Sequence, residues 1–402
     1  MTSFPLVRLS DLVLNVQTWN PLRSSEDDMF CYIDLSAVSQ ELKKITEPNK
    51  LKCHEAPSRA RQLVKTNDVL VSTVRPNLNG VALVTSDFDG ATASTGFCVL
   101  RPNPNRLNAN YLFHWVKNEL FVKSMVMQAT GASYPAVSDK IVMESAIPLP
   151  DISEQRHIAA ILDKADTLRV KRRDAVVELD RLTQSIFLDM FEEVKQIHEI
   201  SSGITLGEFC DLFNGYAFKS TDYVEVSSTL NCRMSNIRPN GEFDVNYNPR
   251  FLPDSFANTY KEFLLKDGDV IIAMTDMANE PKILGVPTIV NTEGRILLLN
   301  QRVGKLIIKS PEKLRVTFLK QLLSQQYARK HLQKFGGGGL QINLGKKDIL
   351  STPIFVPDIT KQIKFEKRLE RLSQFRKNLE KSLRENDSLI SSLQYLAFNG
   401  GL

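Results

Sequence analysis

The chain has 402 residues, 42% of them hydrophobic, enough to bury sizeable cores and to suggest two or three domains instead of a disordered chain. Its 51 lysines and arginines stand against 46 aspartates and glutamates, and a net charge of +5 is too mild to single out a polyanion partner by itself. Five dispersed cysteines (Cys31, Cys53, Cys98, Cys210 and Cys232) and five scattered histidines show no metal-ligand spacing, which argues against a disulfide framework or a zinc site and fits reduced thiols in a cytoplasmic protein. The opening MTSFPLVRLSDLVL lacks the pattern of a secretion signal, and no run approaches 18 apolar residues, so no membrane association is expected.

From the N-terminal side, CYIDLSAV from Cys31, VKTNDVLVSTV from Val64, GVALV and STGFCVLRP from Ser94 are short β-branched runs bounded by Gly, Pro, Asn and Asp, the pattern of strands. NANYLFHWVKNELFVKSMVM reads as helix, and the polar loop ATGASYP follows it. At Pro150-Asp151 a long charged segment begins, DISEQRHIAAILDKAD, in which Asp151 is a good N-cap and Glu154 the partner of a capping box. Its apolar residues Ile158, Ile161, Ala165, Leu168, Ala175, Leu179, Leu182 and Ile186 recur at steps of three and four, a heptad seam interrupted at Arg172 and Asp189.

The second half repeats the first. CRMSNIRP from Cys232, LKDGDVIIAMT from Leu265, LNQRVGKLIIK from Leu299, the helical RVTFLKQLLSQQYARKHLQKF and then KFGGGGLQINLGK follow in the same order at a nearly constant separation. The series ends on VPDITKQ, a near copy of LPDISEQ, and a second seam of Phe365, Leu369, Leu372, Leu379, Leu383, Ile390, Leu393 and Ala397, broken by Arg376 and Asn386. Two tandem α+β parts, each followed by a long helix, are therefore expected: residues 1–150, the helix within 151–199, residues 200–357 and the helix within 358–402. Polar residues inside such seams fix register, so the helices are expected to pair, although the period alone would equally suit two unrelated amphipathic helices.

The block APSRARQLVKTNDVLVSTVRPNL, STGFCVLRP, PDISEQ leading into IAAILDKAD, and GYAFKS at the start of the second half together resemble the specificity subunit of type I restriction-modification systems, over essentially the whole chain. The resemblance implies a protein without catalytic activity, in which each α+β part is a target recognition domain reading one half of a split, asymmetric DNA sequence. It further implies that the two helices form an antiparallel coiled coil separating the domains and docking two methyltransferase subunits. Those partners carry S-adenosylmethionine, this chain binding no cofactor, and restriction and motor subunits join the full complex. Lys361 stands where the first copy has Glu154, and the following residues diverge, so the two halves are expected to dock their partners unequally.

No catalytic constellation competes with that expectation. An adenine methyltransferase needs Asn/Asp-Pro-Pro-aromatic, whereas the nearest strings are NPN at Asn103 and NPR at Asn248; Gly336 to Gly339 are not followed by a phosphate-loop Lys-Ser/Thr. That glycine run suits a flexible loop, or one lying against a DNA backbone. A coiled-coil adaptor with protein-binding domains is the alternative function. Candidate DNA contacts, chosen as Arg, Lys, Asn, Gln and loop residues, are Arg59, Arg61, Lys65, Arg75, Asn77, Asn79, Thr130, Ser133 and Tyr134 in the first half. In the second half they are Lys219, Arg233, Asn236, Arg238, Arg302, Gln341, Asn343, Lys346 and Lys347. Arg59, Arg75 and Arg302 lie in framework-like blocks and would serve equally to hold a loop, and the run Arg169, Lys171, Arg172, Arg173 is a solvated face by default.

Overall fold

The computed structural model describes residues 4–25, 27–196, 203–335 and 340–402, and the glycine run Gly336 to Gly339 lies outside them. The chain divides into two compact units, Met1–Ala175 with Leu379–Leu402, and Val176–Asn378, so that each unit holds part of both long helices, Ile152–Met190 and Ile359–Asn399.

Each unit is built on the same pair of four-stranded sheets. In the first unit one sheet has the order Val13–Leu14, Phe97–Pro102, Val69–Ser72, Val81–Leu83, and the other Asn49–Lys52, Met29–Ile33, Thr92–Ser94, Ala60–Leu63. The second unit repeats both orders, with Cys210–Asn214, Val303–Ile308, Val270–Ala273, Pro287–Ile289 and with Phe251–Leu252, Thr229–Cys232, Ile296–Leu299, Leu264–Leu265. A parallel strand pairing recurs too, Thr92 opposite Tyr32 in one unit and Thr229 opposite Ile296 in the other. The α+β class and the tandem repeat expected from the sequence are thus both present.

The repeated turns Lys65–Asp68 and Lys266–Asp269 have one chemistry. Asp68 accepts from the Lys65 backbone N–H at 2.8 Å and is paired with Arg101 at 2.7 Å; Asp269 accepts from the Lys266 N–H at 2.8 Å and is paired with Lys305 at 2.7 Å. A buried carboxylate is tolerable only with such a cation and backbone donors. The cation comes in each case from the neighbouring strand, which locks the hairpin to the sheet.

The repeated Pro-Asp-Ile-(Ser/Thr)-x-Gln is explained by its last residue. Gln155 and Gln362 are fully buried. Gln155 donates from Nε2 to the carbonyls of Arg106 (3.0 Å) and Pro150 (2.9 Å), and its Oε1 accepts from the Asn108 N–H (2.8 Å). Gln362 donates to the carbonyls of Lys313 (2.8 Å) and Pro357 (2.9 Å) and accepts from the Arg315 N–H (2.9 Å). Each amide therefore ties the first turn of a long helix to the start of a short one, Ala109–Lys117 or Val316–Leu323. Asp151 caps its helix by accepting from Ser153 and Glu154, and Asp358 from Thr360. The expected return bond from the Asp151 N–H to the Glu154 carboxylate is absent among the described residues, and the Ser153 hydroxyl adds a further bond to the Asp151 carboxylate.

The long helices run antiparallel within each unit. In the first, Asn386 donates to the Ala165 carbonyl, Arg172 to that of Ser382 (each 3.4 Å), and Arg169 faces Asp387 at 3.9 Å. In the second, Arg376 bonds Asp180 of the first long helix and Glu242 of the hairpin 237–243, and Phe187 meets Phe365 at 5.4 Å. The inward stripe follows the steps Ile158, Leu162, Ala165, Arg169, Arg172, Val176, Leu179, Thr183, all buried or half-buried. Leu168 and Leu182, expected in the seam, are instead 43% and 44% exposed, one position to its side. The arginines occupy the seam because their stems are apolar and their guanidiniums reach partners on the opposite helix. Ile161 and Ile186 are half-buried, as are Leu369, Leu372, Leu379, Leu383 and Leu393, while Ile390 is buried. The helix ends enter the cores: Phe398 packs on Tyr111 (5.3 Å) and Trp115 (5.0 Å), and Phe191 on Phe318 (4.9 Å).

Beside the first clamp lies a buried charge cluster. His114 Nε2 is 2.8 Å from Asp163 and its Nδ1 is 4.0 Å from Asp166; Asp166 also binds Lys117 (2.5 Å) and Arg169 (2.8 Å). Burial pushes the His114 imidazole below its ordinary range, partly opposed by the hydrogen bond to Asp163. Gln321 stands as far before Gln362 as His114 does before Gln155, and bonds Gln184 without any charge.

The clamp and the cluster can each be tested by unfolding. Gln155→Ala would strand a buried N–H and two carbonyls and should cost on the order of 3 kcal/mol in urea unfolding, with Gln362→Ala equivalent in the second unit and Glu154→Ala within about 0.5 kcal/mol; an unmoved midpoint for Gln155→Ala would mean that the amide does not stabilise the unit. Because the folded pKa of His114 lies below the unfolded value, its contribution is complete above about pH 6.5 and is lost as pH falls below that, until the folded pKa is passed. His114→Gln should flatten that part of the urea-midpoint profile between pH 7.5 and 5.5, and an unchanged slope would contradict the assignment.

Candidate nucleic-acid interface

Six of the nine first-unit candidates come together. The strand bearing Val69–Ser72 runs on into the segment 74–79, which lies against the loop 130–136: Val74 bridges Ala136, and the Arg75 N–H donates to the Pro135 carbonyl at 2.7 Å. Thr130 and Ala136 close the loop with two backbone bonds of 2.9 Å. Arg75, Asn77, Thr130, Ser133 and Tyr134 are all exposed or half-buried, as is Asn79. Arg75 holds φ 50° and Asn79 φ 47°, left-handed backbone that an arginine before a proline adopts only when its surroundings impose it. The Arg75 guanidinium lies 4.6 Å over the Tyr134 ring.

Lys43, which no sequence motif singled out, supports this surface from beneath. Its ammonium donates to the Asn79 carbonyl at 2.6 Å, and burial with the nearby Lys117 and Arg169 charges lowers its pKa to about 8. Arg59, Arg61 and Lys65 have other surroundings. Arg59 is exposed in the turn before Ala60–Leu63, and Arg61 donates to the adjacent Ala60 carbonyl at 2.8 Å. Lys65 lines a cavity of about 520 Å³ with Asn67, Arg101, Asn108 and Arg156.

In the second unit, Gln341 and Asn343 form a strand against Thr275–Met277, in the place that loop 130–136 takes against residue 74. The Asn343 Oδ1 accepts from the Thr275 hydroxyl at 3.0 Å, and Leu340 and Met277 beside them are 80% and 55% exposed. Arg302 is exposed in the neighbouring turn, its carbonyl accepting from the Met274 N–H. Arg233, Asn236 and Arg238 form a second group. Asn236 is buried with its amide fully engaged: Oδ1 accepts from the Arg233 N–H, and Nδ2 donates to the Asp244 carbonyl at 2.9 Å. Those bonds build the 236–247 loop. Arg233 is half-buried and donates to the Asn248 carbonyl at 2.9 Å, with burial lowering its pKa. Arg238 opens the turn Arg238–Gly241 and lies 3.7 Å over the ring of Tyr247, another residue without a sequence signal.

Lys346 is committed to Asp211 at 2.6 Å, and Lys347 is exposed beside it. Lys219, also exposed, is the lysine of GYAFKS, whose aromatic residues pack inward: Phe218 is buried against Tyr260 (5.4 Å), and Tyr216 meets Tyr260 at a tilt (4.5 Å). Gly215 is required there, since a Cβ would sit 2.3 Å from the Asn300 carbonyl. Among the described residues no three His, Cys, Asp or Glu side chains are arranged so that they could hold a metal ion, and no helix is long and apolar enough to cross a membrane. The four buried cysteines are free, and burial pushes the Cys210 and Cys232 thiols up to about 12.

Comparison with known proteins agrees with the repeat. The specificity subunit of the type I restriction enzyme MjaVIII from Methanocaldococcus jannaschii is 30% identical over 276 residues, which is 65% of this chain and 62% of that protein. The match thus spans less than two thirds of that relative. The HindI specificity subunit from Haemophilus influenzae is 24% identical over 38% of this chain and 34% of its own. A chain from a structural study of complex assembly and conformational transition of the type I R-M system has a TM-score of 0.61 at 24% identity, over 100% of this chain and 99% of that one. The S subunit from M. genitalium gives 0.53 at 16%, over 98% and 96%. These two structures show the shared fold. The model of the type I restriction modification DNA specificity domain matches residues 59–178 and again 202–386, and with most of its length so covered the chain belongs to that family.

Proposed function

We propose that this chain is the non-catalytic DNA-reading subunit of a cytoplasmic type I restriction-modification complex, its first unit reading one half of a bipartite, asymmetric DNA target and its second unit the other. The observation that carries the proposal is a duplicated framework with unlike exteriors. Strand order, Asp–cation pair and glutamine clamp repeat, whereas the segments 74–79 with 130–136, in part exposed, share almost no chemistry with 275–283 with 340–343, likewise in part exposed. A duplicated scaffold with unlike loops suits a target whose halves differ.

Two methyltransferase subunits dock beside the helices in this reading and supply the S-adenosylmethionine, with restriction and motor subunits joining through them. The two helix starts are not equivalent surfaces, since Lys361 pairs with Glu193 at 3.6 Å whereas Glu154 in its place is unpaired among the described residues. Unequal docking of the two methyltransferases follows.

Exchanging residues 1–150 for those of another family member, with the partner subunits co-expressed, tests the two-module reading by genome-wide methylation mapping. One half of the methylated sequence should change and the other stay. A simultaneous change in both halves would refute independent reading, and a purified chain with no salt-dependent DNA binding would favour the protein-binding adaptor.

A further inference from the structure

Among the described residues each unit has an arginine whose guanidinium sits over an exposed tyrosine ring, and we infer that these two pairs, Arg75 on Tyr134 and Arg238 on Tyr247, are specificity-determining contacts that each read a guanine. The inference rests on the reading of the units as DNA-recognition domains. The guanidinium carbons lie 4.6 and 3.7 Å from the ring centroids, and the tyrosines are 68% and 45% exposed, so neither pair belongs to a core. Neither guanidinium makes a side-chain hydrogen bond or ion pair among the described residues, whereas Arg61 and Arg233 spend theirs on the carbonyls of Ala60 and Asn248.

The geometry favours a base edge over a phosphate. A ring covering one face of a guanidinium leaves its N–H fork free in the plane and removes rotamer freedom before binding. That planar fork matches the O6 and N7 acceptors of guanine in the major groove. Both backbones are also rigid: Arg75 is held at φ 50° by the bond from its N–H to Pro135, and Arg238 precedes Pro239 in a turn closed by the Gly241 N–H. A phosphate contact needs only charge and would be served by an unbraced lysine.

The test uses the complete chain with its methyltransferase partners, combining methylation mapping with binding to oligonucleotides varied at each position. Arg75→Ala and Arg75→Lys should each lose on the order of ten- to a hundredfold preference for guanine at one position of one half-target. Tyr134→Ala should weaken the same preference, and Tyr134→Phe, which keeps the ring, should retain it. Arg238→Ala and Tyr247→Ala should act in the same way on the other half. Overturning results are an unaltered base preference in the arginine variants, or a uniform loss of affinity with the salt slope reduced by about one, the signature of a phosphate contact. Sequence-specific methylation by the wild-type complex with either result would sink this inference alone, while its absence in the wild type would sink the DNA-reading function as well. Should an arginine variant fail to fold, base preference in Tyr134→Ala set against Tyr134→Phe decides the matter: a loss in the first and not the second supports guanine reading, and no loss in either overturns it.

Discussion

A single buried amide fixes how each α+β unit meets its long helix. Gln155 and Gln362 use both amide hydrogens and the amide oxygen on three backbone groups drawn from the long helix's own start and from a short helix that is distant in sequence. No apolar residue could take that place, because the three groups would then be buried without partners. The amide also sets an angle: two helix starts held by one rigid planar group have little freedom to pivot. Around it are arranged the features that differ between the units, namely the ionic cluster of His114 in one and the Gln184–Gln321–Gln325 amide network in the other.

The seam between the long helices is held by a different logic. Its ends are apolar, with Phe398 and Phe365 sunk into the cores, and its middle is ionic, with Arg169, Arg172 and Arg376 each reaching across. Apolar ends supply stability, whereas charged crossings penalise any sliding of one helix along the other, since displaced guanidiniums would lose partners while remaining half-buried. Arg376 goes further by also holding Glu242, so that the helix, the hairpin and the braced Arg238 of that hairpin form one connected structure.

Much of this is legible in the sequence, because repetition is a strong signal. Duplicated landmarks mark out the two α+β parts, the helix starts and the Asp68 and Asp269 turns. A hydrophobicity pattern prefers leucine and so puts the seam one position off at Leu168 and Leu182, while the fold buries the stems of Arg169 and Arg172. Asn236 resembles an adenine reader by type, but its amide is consumed by its own loop, a fact that only three-dimensional proximity reveals. Tyr134 can be chosen from its loop, and yet its pairing with Arg75 joins residues far apart in the chain. Tyr247 and Lys43 carry no local pattern at all. Residue type finds candidates; which of their polar groups are already engaged is visible only in the fold.

Phe398 completes the apolar core that contains Tyr111 and Trp115, and nearly all of the second unit is encoded between them. During synthesis the first unit therefore waits for its last helix while the second is being made, a delay on the order of tens of seconds at about 5–20 residues per second. Over that interval the ribosome-bound chain presents an open aromatic surface, the kind of site that chaperones cover and proteases find. A message truncated anywhere in the second half would leave that surface permanently uncovered.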